Sequence, residues 1–157
     1  MIAPAKYQLL NILLADDGSP NIQPAIQLLA DLPHEQDCTI TALRVFTPLE
    51  GSEYGRVEAD AEKTKNLLEN RHLHFQSKLV LGYPTDKIIE YAQENDPDLV
   101  VLGSKPAGVL GRLLDNVATN IVHSGRWPVL IVRGPYSGLK HVLLVTDGSQ
   151  ASQHTCE

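Results

Sequence analysis

Asp98-Leu99-Val100-Val101-Leu102-Gly103-Ser104-Lys105-Pro106-Ala107-Gly108-Val109-Leu110-Gly111-Arg112-Leu113-Leu114-Asp115-Asn116-Val117-Ala118-Thr119-Asn120-Ile121-Val122-His123-Ser124-Gly125-Arg126-Trp127-Pro128-Val129-Leu130-Ile131-Val132-Arg133 holds a short apolar run, a glycine-bearing loop, a helical period and a second apolar run, in that order. Leu99 to Leu102 is continuous rather than alternating, as in a parallel strand covered on both faces. Gly103 breaks the run, and Gly108 and Gly111 keep side chains away from the loop backbone that follows. From Arg112 onward, Leu113, Leu114, Val117, Ile121 and Val122 recur at spacings of three and four, so one helical face can lie on a sheet. Gly125 and Pro128 close the helix, and Val129 to Val132 is the next strand. Strand, open loop and helix N-terminus in succession form the corner where α/β sheets hold anions, because unpaired N–H groups and the helix dipole point into the crevice beyond the strand. A small-molecule site is expected there.

The segments before this stretch repeat its logic. Leu9 to Ala15 is almost unbroken apolar sequence and predicts a central strand. Asp16-Asp17-Gly18-Ser19-Pro20 stops it, with Ser19 as N-cap and Pro20 at the first position of a helix that carries Ile22, Ala25, Ile26, Leu28 and Leu29. Cys38 to Phe46 has the Thr, Ile and Val content of a strand. Arg56 to Asn70 is charge-rich with a sparse apolar face, which predicts a solvated helix. His72 to Leu81 is a third strand, at an edge, and Thr85 caps a helix ended by Asn95-Asp96-Pro97. Strands alternating with helices over short links imply an α/β fold with a parallel sheet and helices on both faces.

The chain of 157 residues has 13 Lys and Arg against 19 Asp and Glu, a net charge of -6, and no basic run. That balance argues against a nucleic-acid surface. No apolar segment approaches the length of a membrane span, and the first residues lack the pattern of a signal peptide, so a cytoplasmic protein is expected. Cys38 and Cys156 are far apart, with no spacing for a metal or a disulfide framework. Histidines are scattered, and His123 falls on the fourth helix as a surface group. The absence of a Ser/His/Asp arrangement, HExxH or a Walker lysine leaves an enzyme reading without support.

His141-Val-Leu-Leu-Val-Thr-Asp-Gly-Ser-Gln150 repeats Asn11-Ile-Leu-Leu-Ala-Asp-Asp-Gly-Ser-Pro20. It predicts a domain over 1–136, then a linker and the first strand and turn of a truncated second repeat over 137–157. The 141–147 strand is expected as an extra C-terminal strand that pairs with a sheet edge of this chain or another, or else stays disordered, because a lone strand cannot bury itself.

With the Asp-Gly-Ser turn after the first strand, Gly-Ser after the fourth, the amphipathic helix and the closing Pro-Val-Leu-Ile-Val-Arg in hand, the sequence resembles the universal stress protein family over Leu9 to Arg133. The resemblance implies a five-stranded parallel sheet of order 3-2-1-4-5, a homodimer through Pro128 to Arg133, and, in the family's nucleotide-binding branch, an ATP or related adenine-nucleotide site. Carried over, Asp17 takes the acidic position that meets ribose, with Ala15 and Asp16 before it. Val45 lies near the adenine-facing backbone, and Gly103 is the first glycine of the phosphate motif. Gly108 and Gly111 offer open backbone nearby.

Pro106 stands where the second motif glycine is expected and cannot donate an N–H to phosphate. Asp115-Asn116 replaces the motif's Gly-Ser; a carboxylate there repels a triphosphate. The expected function is therefore a non-enzymatic stress-response domain, acting by dimerisation or partner binding, with a degenerate nucleotide site at Ala15, Asp16, Asp17, Val45, Gly103, Gly108, Gly111 and Asn116 and no certain cofactor. The alternative is an adenine-nucleotide sensor using the loop after strand four.

Overall fold

The computed structural model describes residues 10–32, 38–104, 112–124, 126–143 and 145; the side chains of 51, 52, 104 and 112–116 lie outside that description. Its strands are β1 (Leu10–Asp16), β2 (Cys38–Phe46), β3 (Phe75–Leu81), β4 (Leu99–Ser104) and β5 (Val129–Arg133). They form one parallel sheet in the order β3-β2-β1-β4-β5. Helices α1 (Ile22–Asp31), α2 (Tyr54–Glu69), α3 (Pro84–Asn95) and α4 (Arg112–Ser124) fill the connections.

Strand alternation sorts the core into two layers. Ile12, Leu14, Ile40, Ala42 and Val101 pack with Ile26, Leu29 and Leu68 of α1 and α2. Leu13, Leu43, Val45, Val100 and Leu102 pack with Ile88, Ala92, Ala118 and Ile121 of α3 and α4. The two-sided burial of β1 and β4 explains their unbroken apolar runs. On β3, by contrast, Gln76, Ser77 and Lys78 are exposed, as suits an edge strand.

Two expected caps are placed differently. The N-cap of α1 is Asn21, because Ser19-Pro20 is taken up in a turn closed by Ile22 N–H donating to the Ser19 carbonyl at 3.2 Å. Pro84, not Thr85, opens α3: its fixed φ suits the first helical position, which leaves Tyr83 as cap. Asp96 ends α3 in a left-handed conformation at φ 44°. Its Oδ1 accepts a 3.2 Å hydrogen bond from the Trp127 indole N–H, tying α3 to the approach to β5.

Of the expected 141–147 strand, residues 144, 146 and 147 lie outside the described residues, and the described ones do not join the sheet. Residues 135–143 and 145 carry no strand pairing, and Val142 and Leu143 are 77% and 87% exposed. Among the described residues, a sequence that is buried as β1 is exposed in its copy.

Candidate functional site

β1 pairs on one side with β2 and on the other with β4. The connections leaving its two neighbours diverge, so a crevice opens beyond the carboxyl ends of these strands, at the switch point where α/β sheets bind ligands. The crevice has a volume of about 680 Å3. Its inner wall is apolar: Leu43, Val45, Leu102, Ile88 and Val117. Around the mouth stand Asp17, Thr47, Leu49, Glu50, Tyr83 and Thr85. Leu49 and Tyr83 are well exposed there, large apolar surfaces placed to cover a flat ligand.

Short hydrogen bonds shape the mouth. The Ser19 N–H donates to Asp17 Oδ1 at 2.9 Å, and the Gly18 N–H to Asp16 Oδ1 at 2.8 Å. These Asx-type bonds follow from placing two aspartates ahead of a Gly-Ser turn. Across the crevice, Thr47 donates both its N–H and its Oγ1 hydroxyl to Glu50 Oε2, at 2.7 and 3.0 Å, which fixes the loop after β2.

Asp16 does not sit in the turn as its sequence neighbours suggest. It is the last residue of β1, 5% exposed, and paired in register with Arg44 of β2. Alternation sends Ala15 and Asp17 toward the crevice and turns the Asp16 carboxyl to the α2 layer. There Oδ1 lies 3.5 Å from Arg44 Nη1, while Arg44 Nη2 is 3.9 Å from Asp60 Oδ2. Burial pushes the Asp16 carboxyl from its ordinary 3.8 up to about 6, against the opposing pull of Arg44 and of a hydrogen bond from Thr64. Because the folded state holds this proton more firmly than the unfolded chain, Asp16 favours the fold below its ordinary value, and that contribution is lost as pH rises through about 6. Asp60 acts oppositely: the Lys63 hydrogen bond lowers its carboxyl, a stabilisation lost as pH falls through that lowered range.

Ala15, Asp17, Val45 and Gly103 are thus brought together as expected, and Asp16 borders the crevice with its carboxyl engaged elsewhere. Gly103 also has a packing role. A Cβ there would stand 2.7 Å from the Asn21 carbonyl oxygen, so glycine lets the end of β4 pass under the start of α1. Lys105, Pro106, Gly108 and Gly111 lie outside the described residues, as do the side chains of Asp115 and Asn116. Sequence reasoning missed Leu49, Glu50, Tyr83 and Ile88, which reach the crevice from the loop after β2 and from α3 with its cap, and Arg44, whose signal was the lone charge in its strand. Among the described residues, no group of three or more His, Cys, Asp or Glu is arranged to hold a metal ion. Nor, among them, is any helix long and apolar enough to cross a membrane.

The sequence model of the universal stress protein family matches residues 9–133. A universal stress protein of Methanocaldococcus jannaschii is 27% identical over 139 residues, covering 79% of this chain and 82% of the relative. Among solved structures, a universal stress protein in complex with cAMP superposes with a TM-score of 0.63 at 21% identity, covering 81% of this chain and 98% of the other. A family protein from Arabidopsis thaliana with AMP bound superposes at 0.57 and 18% identity, covering 79% and 90%.

Proposed function

The chain belongs to the universal stress protein family, and from that premise we propose that it is an adenine-nucleotide-binding stress-response domain that acts by binding rather than by catalysis. The observation that carries this reading is the apolar crevice at the switch point with Asp17 fixed at its mouth. Leu43, Val45 and Ile88 offer a dry slot for a purine face, and a carboxylate acceptor suits ribose hydroxyls, which are donors. Similar folds hold cAMP and AMP, ligands with one phosphate, and this supports the reading. Pro106 after β4, and Asp115 and Asn116 in the first turns of α4, stand in place of the family's phosphate-gripping residues and weaken a triphosphate grip, so the adenosine half supplies most of the affinity.

Calorimetric titration tests this. Adenosine and AMP are expected to bind with a Kd on the order of 100 μM, and Mg-ATP no more tightly. Asp17→Ala is expected to weaken AMP about tenfold through loss of a charged acceptor. Mg-ATP binding tenfold or more tighter than AMP would overturn the degenerate phosphate grip, and silence with all three ligands would overturn nucleotide binding itself.

β5 is, with β3, one of the two edges of the sheet, and Val129, Leu130 and Ile131 on it are only half-buried. We assign to Pro128–Arg133 the dimer contact of a cytoplasmic protein, and to 137–157 the opening of a second copy of the 1–136 domain. Sedimentation is expected to show a dimer at about 10–100 μM, with a Leu130→Asp variant monomeric; an unchanged dimer in that variant would place the contact elsewhere.

A further inference from the structure

Arg44 does not line the crevice, yet it is packed against the turn that does. Its side chain is 8% exposed, and it borders a separate polar cleft of about 370 Å3 on the α2 side of that turn. Its guanidinium occupies the place a Gly18 side chain would need: a Cβ on Gly18 would fall 1.7 Å from Nη1. The turn therefore closes directly over the guanidinium. Nη1 is buried and makes no hydrogen bond among the described residues, so attraction to Asp16, whose Oδ1 also accepts the Gly18 N–H, is what holds it in place.

We propose that Arg44 is a positioning residue for ligand binding: from the opposite side of the sheet it clamps Asp16 and the Gly18 peptide, and so sets where Asp17 stands at the mouth of the crevice. The inference rests on the nucleotide reading above and adds to it a residue that touches no ligand. The charged and titratable groups acting on Asp16 are Arg44 of β2, Asp60 and the Thr64 hydroxyl of α2, and Asp17 of its own turn; Lys63 in turn binds Asp60. When Asp16 gains a proton, Arg44 loses its nearest counter-charge; Asp60 stands 3.9 Å away, and Asp17, Glu50 and Glu53 line the same cleft. The clamp then loosens, so binding is coupled to pH in the range where Asp16 titrates, about 6.

The test uses adenosine, an uncharged probe for which protonation does not change repulsion of a phosphate. For the unaltered chain, affinity is expected to fall about threefold to tenfold between about pH 7.5 and about pH 5.5. Arg44→Met is expected to bind about tenfold more weakly at the higher pH and to lose the pH dependence over this interval, since without the guanidinium the ionised Asp16 has no clamp to tighten. Arg44→Lys is not expected to restore binding, because a point charge cannot reach both Asp16 and Asp60 as the planar fork does. Folded Arg44→Met with unaltered affinity and pH profile overturns the proposal. Should that variant not fold, Asp16→Asn decides: it keeps the acceptor for the Gly18 amide without the charge, so a flat profile supports the clamp and a retained pH dependence overturns it. Should adenosine not bind the unaltered chain, the nucleotide reading fails separately, and the Gly18 and Ser19 amide resonances carry the test. Their titration near 6, abolished in Asp16→Asn, supports the clamp; amides that do not move with pH overturn it.

Discussion

Leu14→Ala is expected to lower the unfolding free energy by about 3–5 kcal/mol, among the largest effects a single truncation produces. Leu14 lies at the centre of the central strand, with Ala42 and Val101 as its register partners on either side, and is 0% exposed. Its side chain points into the layer formed with α1, where Ile26 and Leu29 cover it. Backbone pairing on both edges prevents β1 from moving to close the space, so the cost is the lost transfer of the isobutyl group plus a retained cavity. Chemical denaturation is the measurement: the midpoint falls while the slope stays the same, because the surface exposed on unfolding is little changed. Leu14→Met, which conserves volume, is expected to cost less than about 1.5 kcal/mol. Equal losses in the two variants would mean that shape rather than volume governs this position.

The same strand shows what could be read in the sequence and what could not. The unbroken run Ile12 to Ala15 announces a strand buried on both faces, because such burial leaves no place for alternation. Amphipathic spacing likewise marks α1 and α4, and Gly103 with the following loop marks the corner where the crevice opens. The strand order came from family resemblance, since local periodicity does not determine which strands become neighbours. For the same reason the local sequence marks Asp16 as a turn residue, whereas it ends β1. Its burial depends on Arg44 standing opposite it in the β2 register, a relation between positions 28 residues apart (44 minus 16) that neither segment announces alone. Tyr83, Glu50 and Ile88 reach the crevice only once α3 and the loop after β2 are folded onto the sheet. The copy of β1 near the C-terminus shows the converse: a strand-forming sequence pairs only where an edge is brought to it, and at Val142 and Leu143 none is.

Gly18→Ala is expected to destabilise the fold by about 2–4 kcal/mol and to abolish measurable adenosine binding, although it adds only one methyl group. Two costs combine. Gly18 has φ 67°, a left-handed conformation in which any Cβ is strained by about 1–2 kcal/mol. That Cβ would also fall 1.7 Å from Arg44 Nη1 and 2.1 Å from Nη2, so the guanidinium must leave its place. Displacing it separates the buried Arg44 charge from the buried Asp16 carboxyl, and the turn bearing Asp17 moves with it. The two contributions are separable by a double-mutant cycle with Arg44→Ala. In that background the steric conflict is gone, so Gly18→Ala should cost only the left-handed term of about 1–2 kcal/mol, with a coupling of about 1–2 kcal/mol between the sites. Additive losses would instead mean that the turn and the guanidinium are independent, and that Gly18 is required for its backbone conformation alone.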